Sequence, residues 1–158
     1  MPNIKHQFKL CQGPQAWNQW RRENATTLPN LSKANLCKAN LKGANLYRAD
    51  LRKADFFGAD LAQTILIKAD LRRTDFSAAS LYRSNLSEAD LRKANFFRAD
   101  LTEAAFYRAD LRGADLSGAN ITRANLLDAQ LDKTIFSAAI GWPLSQIEDF
   151  ELRGAIFR

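Results

Sequence analysis

From Leu31 to Phe136 every fifth residue is Leu, Phe or Ile, for twenty-two positions in succession. Taking that large apolar residue as the centre of a five-residue unit, sixteen centres are Leu, five are Phe (Phe56, Phe76, Phe96, Phe106, Phe136) and one is Ile121. From Ala34 onward, the residue two places before each centre is Ala, replaced only by Thr64, Thr74, Ser84 and Thr134. The residue just before the centre is Asp or Asn, except at Ile65, Ser80, Ala105, Gln130 and Ile135. The two residues after it are mixed and mostly polar.

A period of five suits neither simple element. A strand alternates every two residues and a helix repeats every 3.6. Apolar residues five apart would rotate around a helix and bury no common face. A fixed short period predicts a stacked repeat in which each unit buries its apolar residue against its neighbours. Ala lets the backbone turn closely, and the larger centre fills the axis. A second period lies over the first. Ala-Asp-Leu-Arg occurs at 49–52, 69–72, 89–92 and 109–112, and four of the five Phe centres (Phe56, Phe76, Phe96, Phe136) share one register of twenty. Residues twenty apart are therefore expected to stack, giving four units per turn and a four-sided coil.

These tandem A-[D/N]-L-x-x units resemble the pentapeptide repeat family over residues 29–138. The resemblance implies an all-β solenoid: a right-handed quadrilateral parallel β-helix, here of about five and a half coils and roughly 26 Å tall at the usual inter-strand spacing. The segment Ala16-Trp17-Asn18-Gln19-Trp20-Arg21 is similar to the N-terminal cap of a cyanobacterial subgroup of that family.

The flanks divide the chain into a helical N-terminal cap at 1–28, the repeats at 29–138 and a C-terminal cap at 139–158, forming one structural domain. Open coil ends invite polymerisation, so both ends require covering. Gly13-Pro14 breaks the chain ahead of a helix whose Trp17 and Trp20 are expected to cover the first coil. Trp142-Pro143 punctuates the other end, Ser145 is expected to N-cap a short helix to about Phe150, and Leu152, Ala155 and Phe157 read as one last partial coil.

Composition narrows the chemistry. The chain has 158 residues, a formal net charge of +6 and a single His. No apolar run is long enough to span a membrane, and Lys5 and Lys9 precede no apolar core of a secretory signal. Cys11 and Cys37 are too few for a disulfide scaffold and form no C-x-x-C, so a reduced, cytoplasmic setting is expected. With His6 outside the repeats, no nucleophile–base arrangement or metal-ligand spacing can be assembled, and neither enzyme activity nor a metal or other cofactor is expected.

Function is therefore expected on the outward residues. In the register of Leu51, Leu71, Leu91 and Leu111, an Asp row (Asp50, Asp70, Asp90, Asp110) should run beside an Arg row (Arg52, Arg72, Arg92, Arg112), with Lys53, Arg73 and Lys93 at the next position. This register carries nine basic and five acidic residues, which accounts for the whole positive excess of the repeats. Two readings stay open: a solvated face of neutralised pairs, or a stripe for nucleic acid or another polyanion. Apolar residues mark two further registers, Phe57 and Phe97 in one, and Tyr47, Ile65, Ile67, Tyr107 and Leu127 in the other. Such residues suit an interface.

The sequence reading is thus a non-enzymatic protein-interaction scaffold with an unidentified protein partner, and a nucleic-acid or polyanion binder as the alternative. The resemblance also implies a monomer or a dimer through a capped end. Some family members mimic duplex DNA and bind type II topoisomerases with strongly acidic surfaces. The pI near 9.6 argues against that role here.

Overall fold

The backbone hydrogen bonds explain the five-residue unit. In the computed structural model, which describes residues 1–142 and 144–157, the unit 49–53 satisfies all five of its amides. Ala49 N–H closes a turn on the Leu46 carbonyl (3.1 Å), and Asp50 N–H reaches back one rung to Pro29 (2.8 Å). Leu51 N–H and Lys53 N–H reach forward one rung to the carbonyls of Asp70 (2.8 Å) and Arg72 (3.0 Å). The remaining amide, Arg52 N–H, donates to Oδ1 of Asp50 at 3.2 Å. The Asp or Asn before each centre is thus first an Asx-turn acceptor. Asn45, Asp55, Asn95 and Asp115 make the same bond to Tyr47, Phe57, Phe97 and Ser117.

Parallel bridges join residues twenty apart on four sides: Asn30–Asp50–Asp70–Asp90–Asp110–Gln130, then the columns beginning at Asn35, Asn40 and Asn45. One turn therefore takes twenty residues. Each side is a single bridging residue between turns, so no extended strand occurs among the described residues. The stacking is that of a parallel β-helix, with sides too short to be strands.

Every centre from Leu31 to Phe136 is buried, as are nearly all the small residues between them. A buried Leu or Phe contributes roughly 1.5–3 kcal/mol. Phe56, Phe76 and Phe96 stack with ring centroids 5.2 and 4.9 Å apart. Where Thr replaces Ala, its hydroxyl is satisfied internally: Thr64 donates to the Leu61 carbonyl, Thr74 to Leu51 and Thr134 to Leu111.

The second turn residue has positive φ in all twenty-two units, and glycine holds the position in only four. The other eighteen, such as Lys53 (φ 57°) and Arg73 (φ 59°), adopt the left-handed region. That costs an L-residue about 1–2 kcal/mol relative to a right-handed conformation. Ala78 (φ 54°) is exposed, and its methyl group is the smallest side chain in this strained position. Ala78→Gly is therefore expected to stabilise the protein by about 0.5–1 kcal/mol, after the entropy that glycine gives the unfolded chain. Gly118→Ala should do the reverse, since its Cβ would also lie 3.3 Å from Arg98 Cγ. Denaturant unfolding of the pair checks this, and a destabilised Ala78→Gly protein would contradict it.

Two helices close the N-terminal end: α1, Ile4–Cys11, and α2, Pro14–Glu23. The sequence reading anticipated only α2. Asn3 caps α1, accepting from Lys5 N–H and His6 N–H, and α1 buries only Leu10 while Ile4 and Phe8 remain exposed. Trp17 is fully buried and donates its indole N–H to the Asn45 carbonyl (2.8 Å). Trp20 is partly buried against it, with ring centroids 5.0 Å apart.

The C-terminal end corrects two expectations. Ser145 is not an N-cap: a 3₁₀ turn at Leu144–Gln146 leads into α3, Ile147–Leu152, which has no side-chain cap bond. Glu148 and Asp149 instead lie in the first turn of α3, where their charge suits the helix dipole. Leu152 is the last residue of that helix and is 88% exposed, so it is not a repeat centre. The partial coil is narrower: Ile156 bridges Ile135, and Phe157 stacks 5.7 Å from Phe136. Pro143 lies outside the described residues.

Candidate functional site

The sequence-predicted surface residues fall on three different columns of the stack. The first holds the Asp–Arg rows. Arg52 grips Asp50 with both ends of its fork, Nε to Oδ1 at 2.8 Å and Nη2 to Oδ2 at 2.7 Å. Arg72, Arg92 and Arg112 repeat this on Asp70, Asp90 and Asp110. Three of the four also lean toward the next rung, Arg52 to Asp70 (3.6 Å), Arg72 to Asp90 (3.4 Å) and Arg92 to Asp110 (3.6 Å), while Arg112 meets no Asp there because the next rung holds Gln130. The result is one zipped line of alternating charge.

Asp50 is held below its usual range by its hydrogen bonds with Arg52. At Asp90 burial pushes the pKa upward, but the hydrogen bonds from Arg92 and the charges of Arg92 and Arg72 outweigh it, and the net shift is downward. Arg72 is correspondingly raised, chiefly by its bond to Asp70. These pairs are half-exposed, so their direct contribution to stability is small. Their larger effect is to hold the carboxylates, which would otherwise repel one another up the column.

The next position differs. Lys33, Lys53, Arg73, Lys93 and Lys133 are exposed, and none lies within 4.0 Å of a carboxylate among the described residues. Of the basic residues on other corners, Arg83 and Arg123 meet Glu103 (2.6 and 4.0 Å), Lys68 meets Glu88 (3.3 Å) and Arg108 meets Asp128 (3.7 Å), while Lys38, Arg48 and Arg98 have no such neighbour among the described residues. A shallow open groove of about 330 Å³ runs between the two basic rows, lined by Arg52, Lys53, Arg72, Arg73, Arg92 and Lys93.

On a second column the rungs are Tyr47, Ile67, Ser87, Tyr107 and Leu127, tied in order by bonds such as Arg48 N–H to the Ile67 carbonyl (3.0 Å). Leu127 is 61% exposed, with Ile65 (39%) and Tyr47 (37%) next, while Ile67 and Tyr107 are half-buried. Ile65 and Ala105 stand where an Asx acceptor would be, so the N–H groups of Ile67 and Tyr107 have no Asx oxygen to donate to. The Arg108 guanidinium lies 4.8 Å over the Tyr107 ring, so that ring presents a cation as well as an apolar edge.

Phe57 and Phe97 lie on a third column, with Ser77 on the rung between them. They do not join the tyrosine column. Arg98 covers Phe97 at 5.0 Å.

Trp17 and Trp20 face the coil end with two partners that the sequence reading missed. Buried Arg21 donates to the carbonyls of Thr27 (2.7 Å) and Tyr47 (3.1 Å), and burial lowers its pKa. Nδ1 of His6 accepts from Asn30 N–H (3.0 Å), and burial, aided by the Arg21 charge, holds that imidazole below its usual pKa. Both residues serve as hydrogen-bond partners for the first rung. Cys11 and Cys37 are free and exposed. Among the described residues, no group of three His, Cys, Asp or Glu side chains could hold a metal ion, and no helix is long and apolar enough to cross a membrane.

Comparison with known proteins follows the same repeats. A model of pentapeptide repeats matches in eight copies, over residues 30–66, 54–92, 74–113 and 99–137. No curated protein matches the chain. Among solved structures it is similar to Rfr23, a pentapeptide repeat protein of the cyanobacterium Cyanothece 51142, at 33% identity and a TM-score of 0.40. That match covers 61% of this chain and 63% of Rfr23, so the chain spans less than two thirds of that protein. HetL of Nostoc sp. strain PCC 7120, a pentapeptide repeat protein involved in heterocyst differentiation regulation, matches at 30% identity and a TM-score of 0.34, covering 70% of this chain and 67% of HetL. A trypsin-treated QnrB1, a plasmid-mediated fluoroquinolone resistance protein, matches at 20% identity and a TM-score of 0.48, covering 78% and 79%.

Proposed function

The chain belongs to the pentapeptide repeat family, with its right-handed quadrilateral β-helix, and from that premise we propose that it is a non-enzymatic scaffold for protein interaction. The observation that carries this reading is the column of Tyr47, Ile67, Tyr107 and Leu127, flanked by Ile65. Large apolar side chains stand at four of five successive rungs of a frame otherwise clothed in polar residues. The frame needs none of them for its core, because the centres beneath are already filled by Leu46, Leu66, Phe106 and Leu126. Exposed apolar side chains on a rigid surface lose little entropy on binding, and tyrosines are among the residues that anchor interfaces. The proposed setting is the cytoplasm, and the proposed ligand is another protein.

The test is recovery of a partner by the full chain from an extract of its native host. The triple variant Tyr47→Ser, Ile67→Asp, Tyr107→Ser is expected to lose that partner at least tenfold, given about 1–2 kcal/mol per anchoring side chain. Undiminished recovery by a folded triple variant would remove this column from the interface.

A further inference from the structure

The basic corner has a different chemistry from the tyrosine column, and we infer that it is a binding site for the phosphate backbone of duplex nucleic acid, read without regard to sequence. It consists of Lys33, Lys53, Arg73, Lys93 and Lys133, on rungs about 4.8 Å apart with one gap at Gly113. The five cations span about 24 Å in a straight line, equal to about seven base pairs at 3.4 Å per step.

Three features point to phosphate. The first is that these cations are free and share one column: none has a carboxylate within 4.0 Å among the described residues, whereas the unpaired Lys38, Arg48 and Arg98 on other corners are isolated by Gly58, Ala78 or paired neighbours such as Lys68 and Glu88. The second is that the adjacent Asp row offers little repulsion. Asp50, Asp70, Asp90 and Asp110 are clasped by Arg52, Arg72, Arg92 and Arg112, whose side chains are 40–50% exposed against 18–31% for the carboxylates, and of the acidic residues in this register only Asp132 has no such clasp among the described residues. An approaching polyanion therefore meets the cations first. The third is continuity. The groove along Arg52 to Lys93 runs on into a second hollow of about 270 Å³, lined by Arg92, Lys93, Arg112, Gly113, Asp132 and Lys133.

The same geometry disfavours other polyanions. An acidic peptide adds to a sheet through free backbone edges or is forked by arginine. Along this face the bridging amides and carbonyls are paired rung to rung, and the Arg forks are occupied. A single strand is held by aromatic platforms. The exposed aromatics Tyr47, Phe57 and Phe97 belong to other columns. What remains is a line of point charges, which fits evenly spaced phosphates on a stiff duplex.

The experiment is fluorescence anisotropy of a labelled 20-base-pair DNA with the full chain across a salt series. Five phosphate contacts predict a slope of log K against log salt of about −4 to −5. The variant Lys53→Gln, Arg73→Gln, Lys93→Gln should weaken binding roughly tenfold or more at low salt and reduce the slope by about three. Gln63 already occupies the same turn position at φ 58°, so the frame tolerates these changes. An equal charge change at other corners, Lys38→Gln, Arg48→Gln, Arg123→Gln, should leave the slope within about one of its original value. Four outcomes would overturn the inference: no binding at about 20 mM salt, an unchanged slope in the corner variant, equal loss in the control variant, or tighter binding of single-stranded DNA or polyglutamate than of duplex.

Discussion

Phe76→Ala is expected to lower the free energy of unfolding by about 3–5 kcal/mol, one of the two largest effects predicted for a single substitution here. Phe76 is fully buried and lies between two parallel rings, Phe56 at 5.2 Å and Phe96 at 4.9 Å. Truncation leaves a void facing both neighbours. The frame cannot collapse into it, because the rung spacing is fixed by backbone bonds between rungs, such as Phe76 N–H to the Asn95 carbonyl (2.7 Å) and Ala78 N–H to the Phe97 carbonyl (2.9 Å). In a stacked repeat, stability is approximately a sum of unit and neighbour terms, so a mid-stack defect weakens two interfaces at once. Phe57→Ala, one residue away but 45% exposed, is the control and should cost under about 1 kcal/mol. Denaturant unfolding of the two variants provides the comparison. A loss at Phe76 below about 1 kcal/mol would mean that the ring stack is not a source of stability.

That contrast between adjacent phenylalanines was legible in the sequence, because register alone decides which of Phe56 and Phe57 points inward. The four-sided stack was legible for the same reason: residue types recur at twenty, and the bridges from Asp50 to Asp70 to Asp90 follow that recurrence. Several features were not. The sequence shows the Asp row as a charge ladder, yet each Asp also accepts its own turn's N–H, a bond between residues two apart that no hydrophobic period reveals. Helix α1 escaped notice because it buries only Leu10 and leaves Ile4 and Phe8 in solvent. Leu152 fits the repeat template by its five-residue spacing from Phe157, but the chain there is helical and carries the side chain outward. At the candidate site, the columns could be laid out by arithmetic. The pairing of Arg52 with Asp50, and the cover of Arg108 over Tyr107, depend on side-chain reach and needed the structure.

Trp17→Ala is expected to cost a similar 3–5 kcal/mol, but with the damage confined to one end. The first rung has no preceding rung, and α1, α2 and their flanks supply stand-ins for the missing bonds. Asn3 N–H donates to the Asn30 carbonyl (2.9 Å), and the Asn18 side chain accepts from Asn45 N–H (2.7 Å) and donates to the Gly43 carbonyl (2.9 Å). The Trp17 indole covers the apolar end of the stack while its N–H completes the Asn45 carbonyl. Removing it empties the centre of the cap and frees a carbonyl in the same step, so Asn18 and Arg21 lose the surface that positions them. Amide exchange should then accelerate at Asn30 and Asn45 and remain slow at Asn85 and Ala105, because a stack of neighbour interfaces frays from the end that has been opened. The exposed rung edge should also promote concentration-dependent association in sedimentation. Trp17→Phe, which keeps a six-membered aromatic ring but loses the pyrrole ring and its N–H, should cost less than Trp17→Ala and leave the protein in its original association state. Uniform acceleration along the whole stack would show that Trp17 supports the solenoid globally, and the cap would then be part of the folding unit instead of a lid upon it.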